Sequence, residues 1–225
     1  MALTILITGF GPFPGAPFNP TGPLVKRLAR LRRPALADVK IIPHIFPTRY
    51  AAVDRDLPRL IARHKPDALL MFGLASRAKT LRIETRARNA LTLLADAGGS
   101  VPRRPTIATG AAPANPMPAP AHRLLAAIRG TGVPAVLSRD AGRYLCNYLC
   151  WRATETARKK GGPRLTAFVH VPTLARSARR PGKRRKLTAD ALARAGSAGL
   201  TAIVAACHNV GIGHTGPRAR PVTIV

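Results

Sequence analysis

Cys146 is the residue of this chain whose type and position are best suited to covalent chemistry. It lies in segment 140–150, between a short apolar run at 134–138 and a helical pattern that extends to about Lys160. A cysteine just after a strand-to-helix turn is exposed on the loop side, and the amide N–H groups of the helix start favour its anion. A buried structural cysteine fits the same position, so a nucleophile also requires a base and a carboxylate elsewhere in the chain.

The candidates for that base and carboxylate are His170 and Glu84. Of the six histidines, His170 stands at the carboxyl end of an apolar run, just before Pro172. Open α/β sheets bind ligands beyond the carboxyl ends of their strands. Its alternative role is to cap a loop through hydrogen bonds. Glu84 stands on the polar face of a predicted strand between two arginines, where its alternative role is a strand ion pair.

Strand patterns and helical patterns alternate along the chain, which predicts a mostly parallel sheet covered by helices. Apolar runs that stop at Gly9 and Gly73 predict buried strands. The run 39–46 contains Pro43, which predicts an edge strand or a bulge. Segment 80–88 alternates apolar and polar residues, which predicts a half-buried strand with one polar face. The last helix is predicted from about Thr188, its N-cap, to residue 206.

We therefore expect one α/β domain over residues 1–225, with the sheet between layers of helices. Within it, segment 97–120 shows no periodicity and carries six prolines between Pro102 and Pro120. A loop of this length is usually functional or disordered. We interpret it as an arm that covers the substrate, with an insert of no fixed structure as the alternative.

The charge is the unusual feature of the composition. The 225 residues include 37 Lys plus Arg against 9 Asp plus Glu, a net charge of +28, with the densest basic cluster at 176–186. Such a surface attracts nucleic acid or acidic membranes without a dedicated site. Aromatic residues make up only 4% of the chain and no nucleic-acid-binding motif is present, so we expect only non-specific binding.

Three cysteines do not make a disulfide framework, and the first apolar run ends at Gly9 without a basic region before it. No segment is long enough to span a membrane. These features predict a cytoplasmic protein. The spacing of Cys146 and Cys150 is not a metal signature, and we expect no metal and no cofactor.

Four segments of this sequence, in order, resemble the pyroglutamyl peptidase I family of cysteine peptidases. The opening loop from Gly9 through Phe10 and Phe13 to Asn19-Pro20 is similar to the family's G-F-x-P-F-x-G…N-P. Gly73, Glu84 and Asn89 are similar to G-x-A…E-R-x-A-x-N. Tyr144-Leu-Cys146-Asn147 resembles the nucleophile segment, and Phe168-Val-His170-Val-Pro172 resembles F-x-H-V-P. Together the four segments cover nearly the whole chain.

The resemblance implies a peptidase that removes an N-terminal pyroglutamyl group through a triad of Glu84, Cys146 and His170. His170 would take the proton of Cys146, and Glu84 would orient the imidazole. The resemblance also implies an α/β/α sandwich of the phosphorylase/hydrolase-like kind. It implies substrate contacts by a set of five residues: Phe10, Phe13, Asn19, Gly73 and Tyr144. The alternative role of the two phenylalanines is core packing under the loop, and Asn19 is expected to fix the loop more than to touch substrate. The expected partners are peptides with a pyroglutamyl-blocked N-terminus and further copies of the chain in a homodimer or homotetramer.

Three positions depart from the family pattern on the side of the substrate. Leu74 replaces a glutamine, and Thr85 replaces the arginine after the glutamate. Ala78 stands where an arginine is common, so that arginine is either lost or moved to Arg77. We expect Leu74 to remove an amide from the neighbourhood of the substrate. The alternatives are therefore a related cysteine hydrolase with a shifted acyl specificity, or a basic nucleic-acid or anionic-surface binding protein on the same scaffold.

Overall fold

A computed structural model describes residues 2–13, 15–175 and 187–212. Strands and helices alternate through most of this part of the chain. The strands are β1 (Leu3–Phe10), β2 (Val39–Phe46), β3 (Ala68–Leu74), β4 (Leu81–Glu84), β5 (Arg86–Arg88), β6 (Ala114–Pro116), β7 (Ala135–Ser138) and β8 (Leu165–Val171). The helices are α1 (Thr21–Ala29), α2 (Tyr50–His64), α3 (Ala121–Arg129), α4 (Leu145–Ala157) and α5 (Ala189–Ile212), with a 3-10 turn at Pro34–Leu36.

Six strands form one mixed sheet in the order β2-β1-β3-β8-β4-β7. The first four are parallel to one another, while β4 is antiparallel to β8 and parallel to β7. The predicted mostly parallel sheet is therefore confirmed. Pro43 lies in β2 at the edge of this sheet, as predicted, where its missing N–H interrupts no ladder on the outer side.

Helices cover both faces of the sheet and make the predicted three-layer sandwich. On one face, α1, α3 and α5 bury an apolar cluster that includes Leu28, Ile128 and Leu200. On the other face, α2 and α4 bury a cluster that includes Leu57, Leu149 and Trp151. Thr188 caps α5 as predicted, because its Oγ1 accepts the N–H of Ala191 at 3.1 Å. Among the described residues, no helix combines the length and hydropathy that crossing a bilayer requires.

The segment 80–88 differs from its prediction in two respects. It is two strands, because Thr85 lies between β4 and β5, and β5 leaves the main sheet to pair with β6. The predicted polar face is also wrong for Glu84, which is fully buried. The reason is tertiary: β4 is enclosed between β8 and β7, and α4 packs against this face of the sheet.

The Pro-rich segment 97–120 is hydrogen-bonded to the rest of the domain. Asn89 Nδ2 donates to the carbonyl of Ala108 at 2.7 Å, and Asn89 Oδ1 accepts the N–H groups of Ile107 and Ala108 at 2.8 and 2.9 Å. Just before the segment, Asp96 accepts the N–H of Tyr50 at the start of α2 at 2.9 Å. These contacts support an ordered arm. The basic cluster 176–186 lies outside the described residues.

Candidate active site

The pairing of β3, β8 and β4 brings Gly73, His170 and Glu84 close together. Gly73 of β3 pairs with His170 of β8, and Glu84 of β4 pairs with Phe168 of β8. Phe168 and His170 are two residues apart in one strand, so their side chains point to the same face. Glu84 therefore reaches His170 diagonally across the strand pair. Because β4 is antiparallel to β8, this single strand pairing places the carboxylate of Glu84 beside His170.

Glu84 and His170 form a buried pair. His170 Nδ1 lies 2.8 Å from Glu84 Oε1, and the two residues are 5% and 0% exposed. The nearest arginine nitrogen, Nε of Arg82, is 4.0 Å from Oε1, which makes the alternative strand ion pair the weaker contact. Oε2 of Glu84 has no hydrogen-bond partner among the described residues. A buried carboxylate with a single partner favours the cationic form of that partner.

Cys146 completes the group from the start of α4. It is the second residue of this helix, is partly exposed, and its charge acts on His170. Because Nδ1 of His170 faces Glu84, Nε2 is the ring nitrogen that is left for the thiol. Gly73 makes this approach feasible. A Cβ built on Gly73 would lie 2.7 Å from Cys146 Sγ and 2.5 Å from the Phe168 ring, so a side chain here would displace the sulfur.

The protonation of His170 follows from these neighbours. Burial acts to lower the pKa of its imidazole, but the charge of Cys146 and hydrogen bonds with Cys146 and Glu84 outweigh burial and raise the pKa to about 9. The imidazolium therefore persists through neutral pH. An imidazolium between a carboxylate and a thiolate is the arrangement of an activated cysteine nucleophile.

The other two cysteines have no comparable environment. Burial, followed by the charge of Cys146, raises the pKa of Cys150 well above its usual value. Burial also raises the pKa of Cys207 to about 11. Both side chains lie in the apolar clusters, as expected for packing residues.

Asn147 fixes the helix start that carries Cys146, a role that the sequence did not reveal. Its side chain is fully buried. Oδ1 accepts the N–H of Arg88 at 2.8 Å, and Nδ2 donates to the carbonyls of Arg88 and Ala90 at 2.8 and 3.0 Å. The amide thus joins α4 to the chain that follows Glu84. The sequence feature that could have pointed to this role was an asparagine directly after Cys146, within a segment of the family pattern.

The opening loop is organised by Asn19. Asn19 Nδ2 donates to the carbonyl of Gly11 at 3.1 Å, and Oδ1 accepts both the N–H and the hydroxyl of Thr21, at 3.1 and 2.9 Å. Thr21 Oγ1 in turn accepts the N–H of Phe10 and lies within hydrogen-bond distance of its carbonyl, both at 3.0 Å. The amide of Asn19 is therefore used by the loop itself, and its contact with substrate stays a prediction.

The aromatic residues predicted to contact substrate have different surroundings. Phe10 is buried, with its ring centroid 6.0 Å from that of Phe46, which favours a packing role. Phe13 is partly buried and pairs through its backbone with Ala16. Tyr144 immediately precedes α4, and its hydroxyl donates to the carbonyl of Ala95 at 3.0 Å. All three substrate contacts stay predictions.

The positions that depart from the family pattern are explained by their neighbours. Thr85 bonds the adjacent strand, because its N–H and hydroxyl both donate to the carbonyl of Ser138, at 2.8 and 2.9 Å. Ala78 closes a tight turn through its N–H to Ala75. Leu74 follows Gly73 in β3 and therefore points to the face opposite Cys146, into a cavity between α1 and α5. The expectation that Leu74 removes an amide beside the reacting group is thus not supported by its direction.

Known proteins resemble this chain in sequence and in fold. A family model described as pyroglutamyl peptidase matches residues 3–206. The pyrrolidone-carboxylate peptidase of Pyrococcus furiosus is 30% identical over 171 residues, which are 76% of this chain and 81% of that protein. The solved pyrrolidone carboxyl peptidase of Thermococcus litoralis has a TM-score of 0.82 and 25% identity, covering 92% of this chain and 96% of its own. Pyroglutamyl peptidase I of Bacillus amyloliquefaciens has a TM-score of 0.79 and 25% identity, covering 90% and 97%.

The contact between Gly73 and Cys146 predicts the effect of adding one methyl group. Gly73→Ala should lower kcat by about 100-fold, because the new Cβ displaces the sulfur or the Phe168 ring. Gly199→Ala is the matched control, since its Cβ would meet ordinary contacts at 3.7 Å and beyond. Steady-state kinetics on a pyroglutamyl amide measures both variants. Full activity in Gly73→Ala would contradict the close approach of the Cys146 sulfur to Gly73.

The bonds of the Asn147 amide predict that a substitution of Asn147 lowers the reactivity of Cys146. Asn147→Asp keeps the shape of the side chain but sets a carboxylate against two carbonyls, so kcat and the alkylation rate of Cys146 by iodoacetamide should each fall about tenfold. Asn89→Asp is the matched control, because Asn89 makes similar bonds to the arm instead. It should leave alkylation unchanged. A lower melting temperature without slower alkylation in Asn147→Asp would mean that the amide serves stability alone.

Proposed function

Since the chain belongs to the pyroglutamyl peptidase family, we propose that Cys146, His170 and Glu84 are the nucleophile, the acid–base and the orienting carboxylate of its reaction. The chain is a cysteine peptidase, and its reaction is the hydrolysis of the bond after an N-terminal pyroglutamyl residue. The observation that carries the assignment of residues is the clustering of three side chains: Glu84 bonds the His170 ring at 2.8 Å, and Cys146 Sγ lies against Gly73, the strand partner of His170. It is the arrangement that nucleophilic catalysis by a thiol requires.

In the acylation step, the Cys146 thiolate attacks the pyroglutamyl carbonyl carbon. The first N–H groups of α4 have no partner within the helix and are suited to hold the oxyanion, the one of Cys146 among them. The His170 imidazolium then gives its Nε2 proton to the leaving nitrogen as the C–N bond breaks. The products of this step are the shortened peptide and a thioester on Cys146.

In the deacylation step, neutral His170 takes a proton from water as the water oxygen attacks the thioester. The tetrahedral intermediate collapses, the C–S bond breaks, and pyroglutamate leaves. The sulfur departs as the thiolate beside the His170 imidazolium, which restores the starting state. Glu84 holds Nδ1–H throughout, so that Nε2 always faces the reacting atoms.

The surroundings of the site support a further set of assignments. We propose that Phe10, Phe13, Asn19, Gly73 and Tyr144 form or fix the acyl site, and that segment 97–120 is an arm over it. The hydrogen bond from Tyr144 to Ala95, next to the arm, supports this placement. A homodimer or homotetramer and a cytoplasmic location stay predictions of this function. No second function is proposed, because the basic cluster that would favour nucleic acid lies outside the described residues.

A fluorogenic pyroglutamyl amide tests the proposed nucleophile. The wild-type chain should release the fluorophore, and Cys146→Ala should lower the rate by at least about 1000-fold, because the thioester then cannot form. Cys207→Ala is the matched control and should stay within a few-fold of wild type, since Cys207 packs against the sheet on the opposite face. An inactive wild-type chain would contradict the function. Undiminished activity in Cys146→Ala would contradict the nucleophile alone.

The raised pKa of His170 predicts an alkaline limit of activity. Because the folded-state pKa is above the ordinary 6.5, the imidazolium and its contribution to stability are fully present below pH 6.5 and are lost as pH rises through about 9. We expect kcat/KM to fall above about pH 9. Glu84→Gln should move this limb to lower pH, because it removes a charge that raises the pKa.

Asp190→Asn is the control for that shift. It removes one negative charge from an exposed ion pair with Arg27, and this pair lies outside the contacts of His170. Its pH profile of kcat/KM should match that of wild type. If Glu84→Gln and wild type share one alkaline limb, Glu84 is not the carboxylate that holds the imidazolium.

A further inference from the structure

A large cavity lies on the face of the sheet opposite Cys146. It measures about 1080 Å³ and is lined by the opening loop, the first turns of α1 and α5, and the chain just after β3 and β8. Its walls are mainly apolar, with Leu24, Ile45, Leu74, Leu174 and Leu192 among them. Its size lies at the upper end of the range for ligand sites in proteins.

The cavity adjoins the catalytic group where β3 and β8 end, which we call the crest of the sheet. In β3, Gly73 faces Cys146, and the next residue, Leu74, faces the cavity. In the chain that continues β8, Thr173 and Leu174 line the cavity three and four residues after His170. The N–H of Ala75 donates to the carbonyl of Val171 at 2.9 Å and joins the two strands at this crest. The cavity and the sulfur therefore lie on opposite faces of the sheet, at neighbouring residues of β3.

The chemistry of the leaving group indicates where the leaving peptide lies relative to the crest. His170 must protonate the leaving nitrogen, so the shortened peptide begins beside His170. On the Cys146 face, the space at Gly73 is already filled by Sγ and by the Phe168 ring. The cavity opens on the other side of the crest, where Leu74 and Leu174 are among its walls.

From these observations we infer that the cavity binds the leaving peptide, with an apolar side chain in one of the first two residues after the pyroglutamyl group. This inference rests on the proposed function and adds a specificity to it. Leu74 is the central wall residue, because it stands next to Gly73 and presents two methyl groups where the family pattern has an amide. No carboxylate lines the described part of the cavity, whereas Lys26 does, and so does Arg27, whose charge is paired with Asp190. Basic leaving peptides are accordingly disfavoured.

Leucine and asparagine have similar shapes and opposite polarity, which makes them a matched pair of substrates. The series consists of pyroglutamyl-Xaa-Ala amide and pyroglutamyl-Ala-Xaa amide, with Xaa as Leu or Asn, measured as kcat/KM. In wild type, leucine should be favoured over asparagine by about tenfold or more at one of the two positions, the range for apolar discrimination in a binding pocket. Leu74→Gln should remove most of that preference, and Leu174→Gln should reduce it independently.

Leu60→Gln is the matched control, because Leu60 is a partly buried leucine on α2 at the other face of the sheet. It should keep the wild-type preference. Hydrolysis of the fluorogenic pyroglutamyl amide and alkylation of Cys146 by iodoacetamide verify that each variant retains its site. Leu74 and Leu174 are both partly buried, so at least one of the two substitutions should leave a folded enzyme.

The outcomes separate this inference from the function on which it rests. A wild-type chain that cleaves no pyroglutamyl substrate would overturn the function. A wild-type chain that cleaves all four peptides equally would overturn the inference alone. A leucine preference that persists in folded Leu74→Gln and Leu174→Gln would also overturn it, because the discrimination would then arise elsewhere.

Discussion

The buried pair of Glu84 and His170 is the constraint on which the site depends. A fully buried carboxylate is costly unless a positive partner compensates it, and this partner is one imidazolium at 2.8 Å. The same carboxylate, together with Cys146, keeps that imidazolium charged against the effect of burial. Structure and the proposed reactivity thus share one requirement, since losing the charge of His170 removes both the proposed proton donor and the compensation for Glu84.

The sheet topology supplies this pair with its geometry. β8 lies between β3, which is parallel to it, and β4, which is antiparallel. The parallel neighbour carries Gly73 near its end and leaves room for the sulfur. The antiparallel neighbour brings Glu84 to the same face as His170. Around this rigid centre, the side-chain amides of Asn19, Asn89 and Asn147 bond to backbone groups of the loops. Side-chain amides that are bonded to backbone groups in this way fix the loops in place.

The departures from the family pattern lie outside that centre. Thr85 replaces a long cation by two short hydrogen bonds to the neighbouring strand, and Leu74 turns an amide into an apolar wall on the far side of the sheet. Neither touches the Glu84–His170–Cys146 series. In the function and specificity that we propose, this arrangement separates bond cleavage, which depends on fixed strands, from the recognition of the peptide, which depends on surfaces that can change without disturbing the charges.

The sequence alone determined the order of the helices and of the main-sheet strands, the edge position of Pro43, the cap at Thr188 and the family, because these follow from local periodicity, backbone chemistry and ordered motifs. It did not predict β5 and β6, because strands of three residues are too short to show a period. It could not determine the burial of Glu84, since alternation within 80–88 reports polarity and does not report which strands will enclose β4. Nor could it show that Gly73 faces Cys146 while Leu74 faces a cavity. Those directions arise when β3, β8 and β4, which are far apart in the chain, pair in one register. Only tertiary structure decided them, because strand pairing and burial are non-local interactions.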